Sequence, residues 1–199
     1  MSRATPMTPD ERRQAIVEAT LPLLLERGPE LSTSQIAQAA CVAEGTIFRV
    51  FETKSDIIHA AIAAAVEPTQ AIAALAALPA EQGLAERVTA TLTILSDEIT
   101  RTRSLFAHLA GAGFGHGRPH PPEGPLRHGP GDGRLRVFAA TATALAPYAE
   151  QLSVPIDTAA KLLNALAFAA TFGVSPGDAP PTPESMAMVV LHGIVQGEK

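Results

Sequence analysis

The chain has 199 residues, 46% of them hydrophobic and 18% charged, with a formal net charge of −5. This composition excludes a disordered tail, and no uninterrupted apolar run reaches the roughly 18 to 20 residues of a bilayer span. The single cysteine, Cys41, excludes an internal disulfide and a multi-cysteine metal site. The Met1–Pro6 start lacks the apolar stretch of a secretory signal, so a reducing, cytoplasmic location with no membrane partner is expected. The negative balance argues against non-specific coating of nucleic acid and leaves local contact open.

Aromatic residues make up only 4% of the chain, alanine is abundant, and no stretch combines period-two alternation with β-branched enrichment. The expected fold class is therefore all-α. A first helix is predicted from Thr8-Pro9-Asp10-Glu11, where a capping threonine, a first-turn proline and two acids coincide, to Gly28-Pro29. Pro22 falls inside it, and a kink or locally broken turn is expected there. Ser32 with Gln35 has capping-box spacing and opens a short helix burying Ile36, Ala37 and Ala40. Another short helix runs from about Ala43 to Phe51 with Ile47, Val50 and Phe51 inward, and Thr53-Lys54-Ser55-Asp56 starts a fourth that ends near Val66.

Beyond Glu67-Pro68 a short alanine-rich helix spans Ala71 to Leu78. A long one follows from about Leu84 to Leu109, with Val88, Leu92, Leu95, Ile99 and Phe106 on one face. Residues 111–133 are rich in glycine and proline and read as a long surface loop. Helices are predicted again for Leu135–Leu152, Ile156–Phe172 and Pro183–Val195, the last capped by Thr182. The chain thus divides into an N-terminal three-helix helix-turn-helix bundle, residues 1–66, and a larger helical domain, residues 67–199.

One long helix followed by two short helices and a tight turn is the arrangement that places a second short helix in the DNA major groove. The residues sharpen this. Ile36-Ala37, Ala40, Val42, Gly45-Thr46-Ile47-Phe48, Phe51 and Lys54 together resemble the DNA-binding motif of the TetR family of bacterial transcriptional regulators, over Thr8 to Val66 without gaps. The remainder resembles that family only in size, helical pattern and position.

The resemblance implies roles for individual residues. Thr33 and Ser34 would reach phosphate or a base edge, and Glu44, Gly45 and Thr46 would meet base edges. Phe48 stands where the family has a tyrosine against the sugar-phosphate wall, Arg49 would reach phosphate or guanine, and Lys54 would contact phosphate. Cys41 replaces the turn glycine, where a positive φ is expected at a cost of roughly 1 kcal/mol. It is otherwise expected to be a small buried or half-buried residue, with a redox-sensing thiol as the lesser reading. Val50 replaces a frequent histidine. Residues 1–66 hold six Lys/Arg against eight Asp/Glu, a difference of −2. Affinity must then rest on a few contacts doubled by dimerisation, with a shallow salt dependence.

The second domain is expected to pair subunits and bind an effector. Ile156, Ala160, Leu163, Ala167 and Ala170, with Met186, Val189, Val190 and Ile194, form stripes suited to a four-helix interface, which is also how the resembled family dimerises. The alternative is that both helices are internal core of a monomer. Candidate walls for an apolar or aromatic small molecule are Phe106, Leu109, Phe138, Leu145, Tyr148, Phe168 and Phe172, with His108 and Thr141 as polar handles.

His116, His120 and His128 lack the fixed spacing of a metal site, and the Gly111–Gly117 run lacks a dinucleotide fingerprint; no cofactor, metal or enzyme activity is expected. The expected function is a homodimeric repressor that double-stranded operator DNA binds and a small ligand releases. The alternative is an all-helical small-molecule-binding protein or enzyme whose N-terminal bundle does not touch DNA.

Overall fold

In the computed structural model the described residues are 7–114, 130–172 and 179–194, and among them the chain is helical without a strand. Helix α1, Pro9–Arg27, starts where its signals place it: the Thr8 side chain accepts from the Glu11 amide and the Glu11 carboxylate accepts from the Thr8 amide. Pro22 lies inside it and does not break it, so of the expected kink or broken turn the broken turn is absent. Pro22 and Glu18 both lie on the exposed face, so water can take up the Glu18 carbonyl that the missing proline N–H leaves free. Gly28 ends the helix with φ 63°, and its amide donates back to Leu24 O. Only glycine fits here, since a Cβ would lie 2.2 Å from the Ala112 carbonyl oxygen.

Helices α2 (Thr33–Ala39), α3 (Glu44–Val50) and α4 (Lys54–Ala65) follow, with α2 and α4 opened by capping boxes, Ser32 with Gln35 and Thr53 with Asp56. Ile16, Leu24, Leu31, Ile36, Ile47 and Ile57 are completely buried and hold α1 to α4 on one core. Helix α5 is Thr69–Ala76 and the long α6 is Leu84–Leu109. The stretch Lys54–Ala76 has the length and mean hydropathy, 1.3, of a weak membrane-span candidate, but it is two helices parted at Pro68.

The chain forms two compact units, Met1–Glu67 with Ser104–Arg127, and Pro68–Arg103 with His128–Lys199. The last turns of α6 thus belong to the first unit, where Leu105 and Leu109 pack on its core. This corrects the single face expected along α6. Val88, Leu92 and Leu95 are buried and Ile99 packs beside them in the second unit, whereas Phe106, next to Leu105, is exposed.

A wider helical turn, Ala110–Phe114, continues from α6 with Gly113 at φ 98°. Residues 115–129 of the predicted loop, with His116, His120 and His128, lie outside the described residues. At the far end the loop is shorter than expected, because α7 already begins at Pro130 and runs to Leu145. A proline needs no amide partner in a first turn, and Asp132 sits favourably at the positive helix end. The predicted helix to Leu152 instead tightens at Ala146–Gln151 into a 3₁₀ turn, where Pro147 cannot supply the next α-helical hydrogen bond. Helices α8 (Ile156–Phe172) and α9 (Pro183–Ile194) complete the second unit, whose core joins Val88, Leu92, Leu95, Leu145, Leu163 and Met186.

Candidate nucleic-acid interface

The turn between α2 and α3 decides what α3 presents. Cys41 has φ 55°, and among the described residues it is the one non-glycine with a positive φ. Its amide donates to Gln38 O at 3.2 Å, and the Val42 amide donates to Ala37 O at 3.0 Å. These are the two hydrogen bonds of a Schellman motif with Cys41 at C′, the position glycine favours. The backbone conformation expected from the sequence is therefore present, but the side chain is exposed and not buried. A residue in the left-handed conformation projects away from the helix it terminates, and Val42, the next residue, makes the apolar contact with the core.

Below the turn, α3 is anchored by Ile47, fully buried, and by Phe51 at its end. One residue that sequence reasoning missed reinforces this: Arg13 of α1 lies with its guanidinium 4.3 Å from the centre of the Phe51 ring and donates to Val50 O at 3.4 Å. A cation at the negative end of α3 is electrostatically favourable. Its spacing along α1 carried no signal, because the partners lie 37 residues away in sequence.

The outward side of the motif holds the sequence-predicted residues. Ser34, Glu44, Gly45, Arg49 and Lys54 are exposed, Thr33 and Thr46 are half-buried, and Phe48 is 55% exposed. A partner surface laid over this ring would remove its apolar area from water. Thr33 and Glu44 are not independent: the Thr33 hydroxyl donates to Glu44 Oε1 at 2.8 Å, tying the start of α2 to the start of α3. The Glu44 carboxylate also stands in the first turn of α3, where the helix dipole favours it. Its acidity is thus used inside the motif. Lys54 occupies the first position of α4, beside the Thr53–Asp56 cap.

In the second unit the predicted interface stripes are corrected. Ala160, Leu163, Ala167, Ala170 and Met186 are buried in the unit's own core, with Ile156 and Val190 packed against it. Of the residues chosen, Val189 alone is fully on the surface, 72% exposed, and the Ile194 side chain is outside the described residues. The apolar stripe that is left uncovered is the opposite one on α8, Leu162, Ala165, Phe168, Ala169 and Phe172, together with Met188 and Val189 of α9. The Phe168 and Phe172 rings stack at 4.6 Å. Periodicity showed that α8 is apolar all round but not which stripe faces inward.

The predicted ligand walls are divided between the two units. Phe106, His108 and Leu109 belong to the first unit, Leu109 inside its core. Leu145 and Tyr148 are core of the second unit, and the Tyr148 hydroxyl donates to Gln82 O. Thr141 is buried and satisfied, donating to Val137 O and accepting from Asn164 Nδ2. Phe138 is half-buried beneath the Arg134 guanidinium, and Phe168 and Phe172 are exposed. The second unit instead has a cleft of about 540 Å³ between α5 and α7, lined by Ile72, Leu75, Leu78, Ala140, Thr143 and Pro147 with Arg87 and Arg136. Alanines at its helix–helix contact were too ordinary a signal to mark it. Among the described residues no group of three or more His, Cys, Asp or Glu side chains could hold a metal.

Comparison with known proteins agrees with the motif. Residues 16–61 match the family model described as bacterial regulatory proteins, tetR family. A transcriptional regulator of the TetR/AcrR family from Thermobifida fusca shares 20% identity and a TM-score of 0.61, over 92% of this chain and 98% of that one. A protein assigned to the same family from Mesorhizobium loti shares 15% identity and a TM-score of 0.62, over 96% and 100%. The multidrug binding protein EbrR, solved with imidazole, shares 20% identity and a TM-score of 0.50, over 98% and 99%. At these identities the likeness is one of fold.

Proposed function

We propose that this chain, whose residues 16–61 match the model of the TetR family of bacterial regulatory proteins, is a homodimeric transcriptional repressor, at work in the cytoplasm, that leaves its operator when a small molecule binds the second unit. The observation that carries the reading is the presentation of α3. Ile47 and Phe51 bury one side, while Phe48 and Arg49 stand on the other with nothing of the first unit's core over them. A major groove receives a helix, its sugar-phosphate wall covers Phe48, and its phosphates or guanine edges pair with Arg49. Lys54 adds a phosphate contact at the start of α4.

Dimerisation supplies the second half of the affinity. With a net −2 over residues 1–66, one motif has too few cations for tight binding. Two copies set about 34 to 36 Å apart engage successive major-groove turns of a near-palindromic site. The exposed stripe of α8 with Met188 and Val189 is the surface we assign to that pairing, since monomers seldom leave so contiguous an apolar patch in water. A ligand that prefers another spacing of the two motifs then lowers operator affinity by its differential affinity for the two states. EbrR, of the same fold, takes imidazole.

A mobility-shift assay on DNA upstream of the protein's own gene tests this, with the Arg49→Ala/Lys54→Ala double variant beside the wild type. Both side chains are exposed, so the fold should persist. Sequence-selective binding is expected, lost in the double variant, and its log–log salt slope should be small, dropping by about 0.9 for each phosphate contact removed. Absence of selective binding to any upstream fragment, or binding unchanged in the double variant, would favour the helical binding protein or enzyme that never touches DNA.

A further inference from the structure

The cleft between α5 and α7 is walled by Ile72, Leu75, Leu78 and Ala140, and among the described residues two arginines but no acidic side chain line it. Arg87, from α6, is only 4% exposed. Its Nη2 donates to Pro79 O at 2.6 Å, and its Cζ lies 5.6 Å from the centre of the Tyr148 ring. Its Nε is buried with no acceptor, and among the described residues no carboxylate pairs with it. A guanidinium cannot shed its proton in a protein, so Arg87 keeps a full charge with little of its surface in water. Fully buried arginines are otherwise found paired. Arg136, on α7, is exposed and lines the same cleft.

We infer that this cleft binds an organic monocarboxylate with an apolar body, the carboxylate supplying the counter-charge that Arg87 lacks and the hydrocarbon lying on the aliphatic walls. A carboxylate satisfies a guanidinium in short, charge-assisted hydrogen bonds. A neutral apolar molecule would fill the walls and leave the buried charge as it was. A cation would meet the buried charge of Arg87. The volume, about 540 Å³, is that of a small-molecule site. The inference rests on the effector reading above and narrows it to one chemical class.

The test is isothermal calorimetry on the full chain with hexanoate, decanoate and phenylacetate, each beside the alcohol of the same skeleton. At least one acid is expected to bind ten times or more tighter than its alcohol. Arg136→Gln should weaken that acid severalfold, and Ala139→Phe, which puts a ring into the cleft from an exposed position, should abolish binding. Arg87→Met should erase the preference for acid over alcohol; if that variant does not fold, the other two decide. Acids and alcohols binding alike, no acid binding, or binding indifferent to Ala139→Phe would overturn the inference. An acid that binds the cleft but leaves operator affinity unchanged would uphold the site and refute ligand release.

Discussion

Replacing Cys41 by glycine should stabilise the first unit, and the size of the gain follows from the turn. Cys41 sits at φ 55° in a Schellman motif, where a Cβ crowds the neighbouring carbonyl at a cost of about 1 to 2 kcal/mol. Glycine removes that strain but gives the unfolded chain more freedom, which takes back about 0.5 to 1 kcal/mol. The side chain is exposed, so no packing is lost. The net gain is about 0.5 to 1 kcal/mol, equivalent to about two- to fivefold slower exchange. Native-state hydrogen exchange reads this at the amides of the turn and of α3 without assuming that the whole chain unfolds as one. Cys41→Ala is the control: it keeps the Cβ and loses only the thiol, so its exchange should match the wild type within about 0.5 kcal/mol. Cys41→Gly exchanging as fast as Cys41→Ala, or faster, would refute the strain argument.

Two further outcomes follow from particular contacts. Phe168→Glu/Phe172→Glu places charges on the uncovered stripe of α8; sedimentation should show a dimeric wild type and a helical, monomeric variant, and a wild type that is already monomeric would remove the interface. The Glu11 carboxylate is held below the ordinary glutamate range first by the hydrogen bond from the Thr8 amide and then by the Thr8 side chain. A lowered folded-state pKa means that the cap contributes fully above the unfolded value and is lost as pH falls through the folded one. The Thr8 amide resonance should therefore titrate in acid below the usual glutamate midpoint and not titrate there in Glu11→Gln, and a midpoint at or above the usual value would contradict the capping box.

What could be read along the chain was what local chemistry controls. The three capping boxes at Thr8, Ser32 and Thr53 use groups three residues apart, so the starts of α1, α2 and α4 were legible before any packing was known. The positive φ at Cys41 was expected from the resemblance alone, which puts a glycine at that turn position. So was the burial of Ile36 and Ile47, because a short amphipathic helix has only one apolar side to hide.

Tertiary structure decided the matters in which several local solutions were equally good. Helix α8 is apolar around its circumference, and only its neighbours settle that Ala160, Leu163 and Ala167 go inward while Phe168 and Phe172 stay out. Pro22 was read as a kink or a broken turn because the sequence does not say whether the orphaned carbonyl will face protein or water, and it lies on the watered side. Arg13 beside Phe51, the Thr33–Glu44 hydrogen bond and the buried charge of Arg87 each join residues distant in sequence or of ambiguous burial. Capping and turn geometry are enforced within a few bonds, whereas burial and charge pairing are properties of surfaces that exist only after the helices have met.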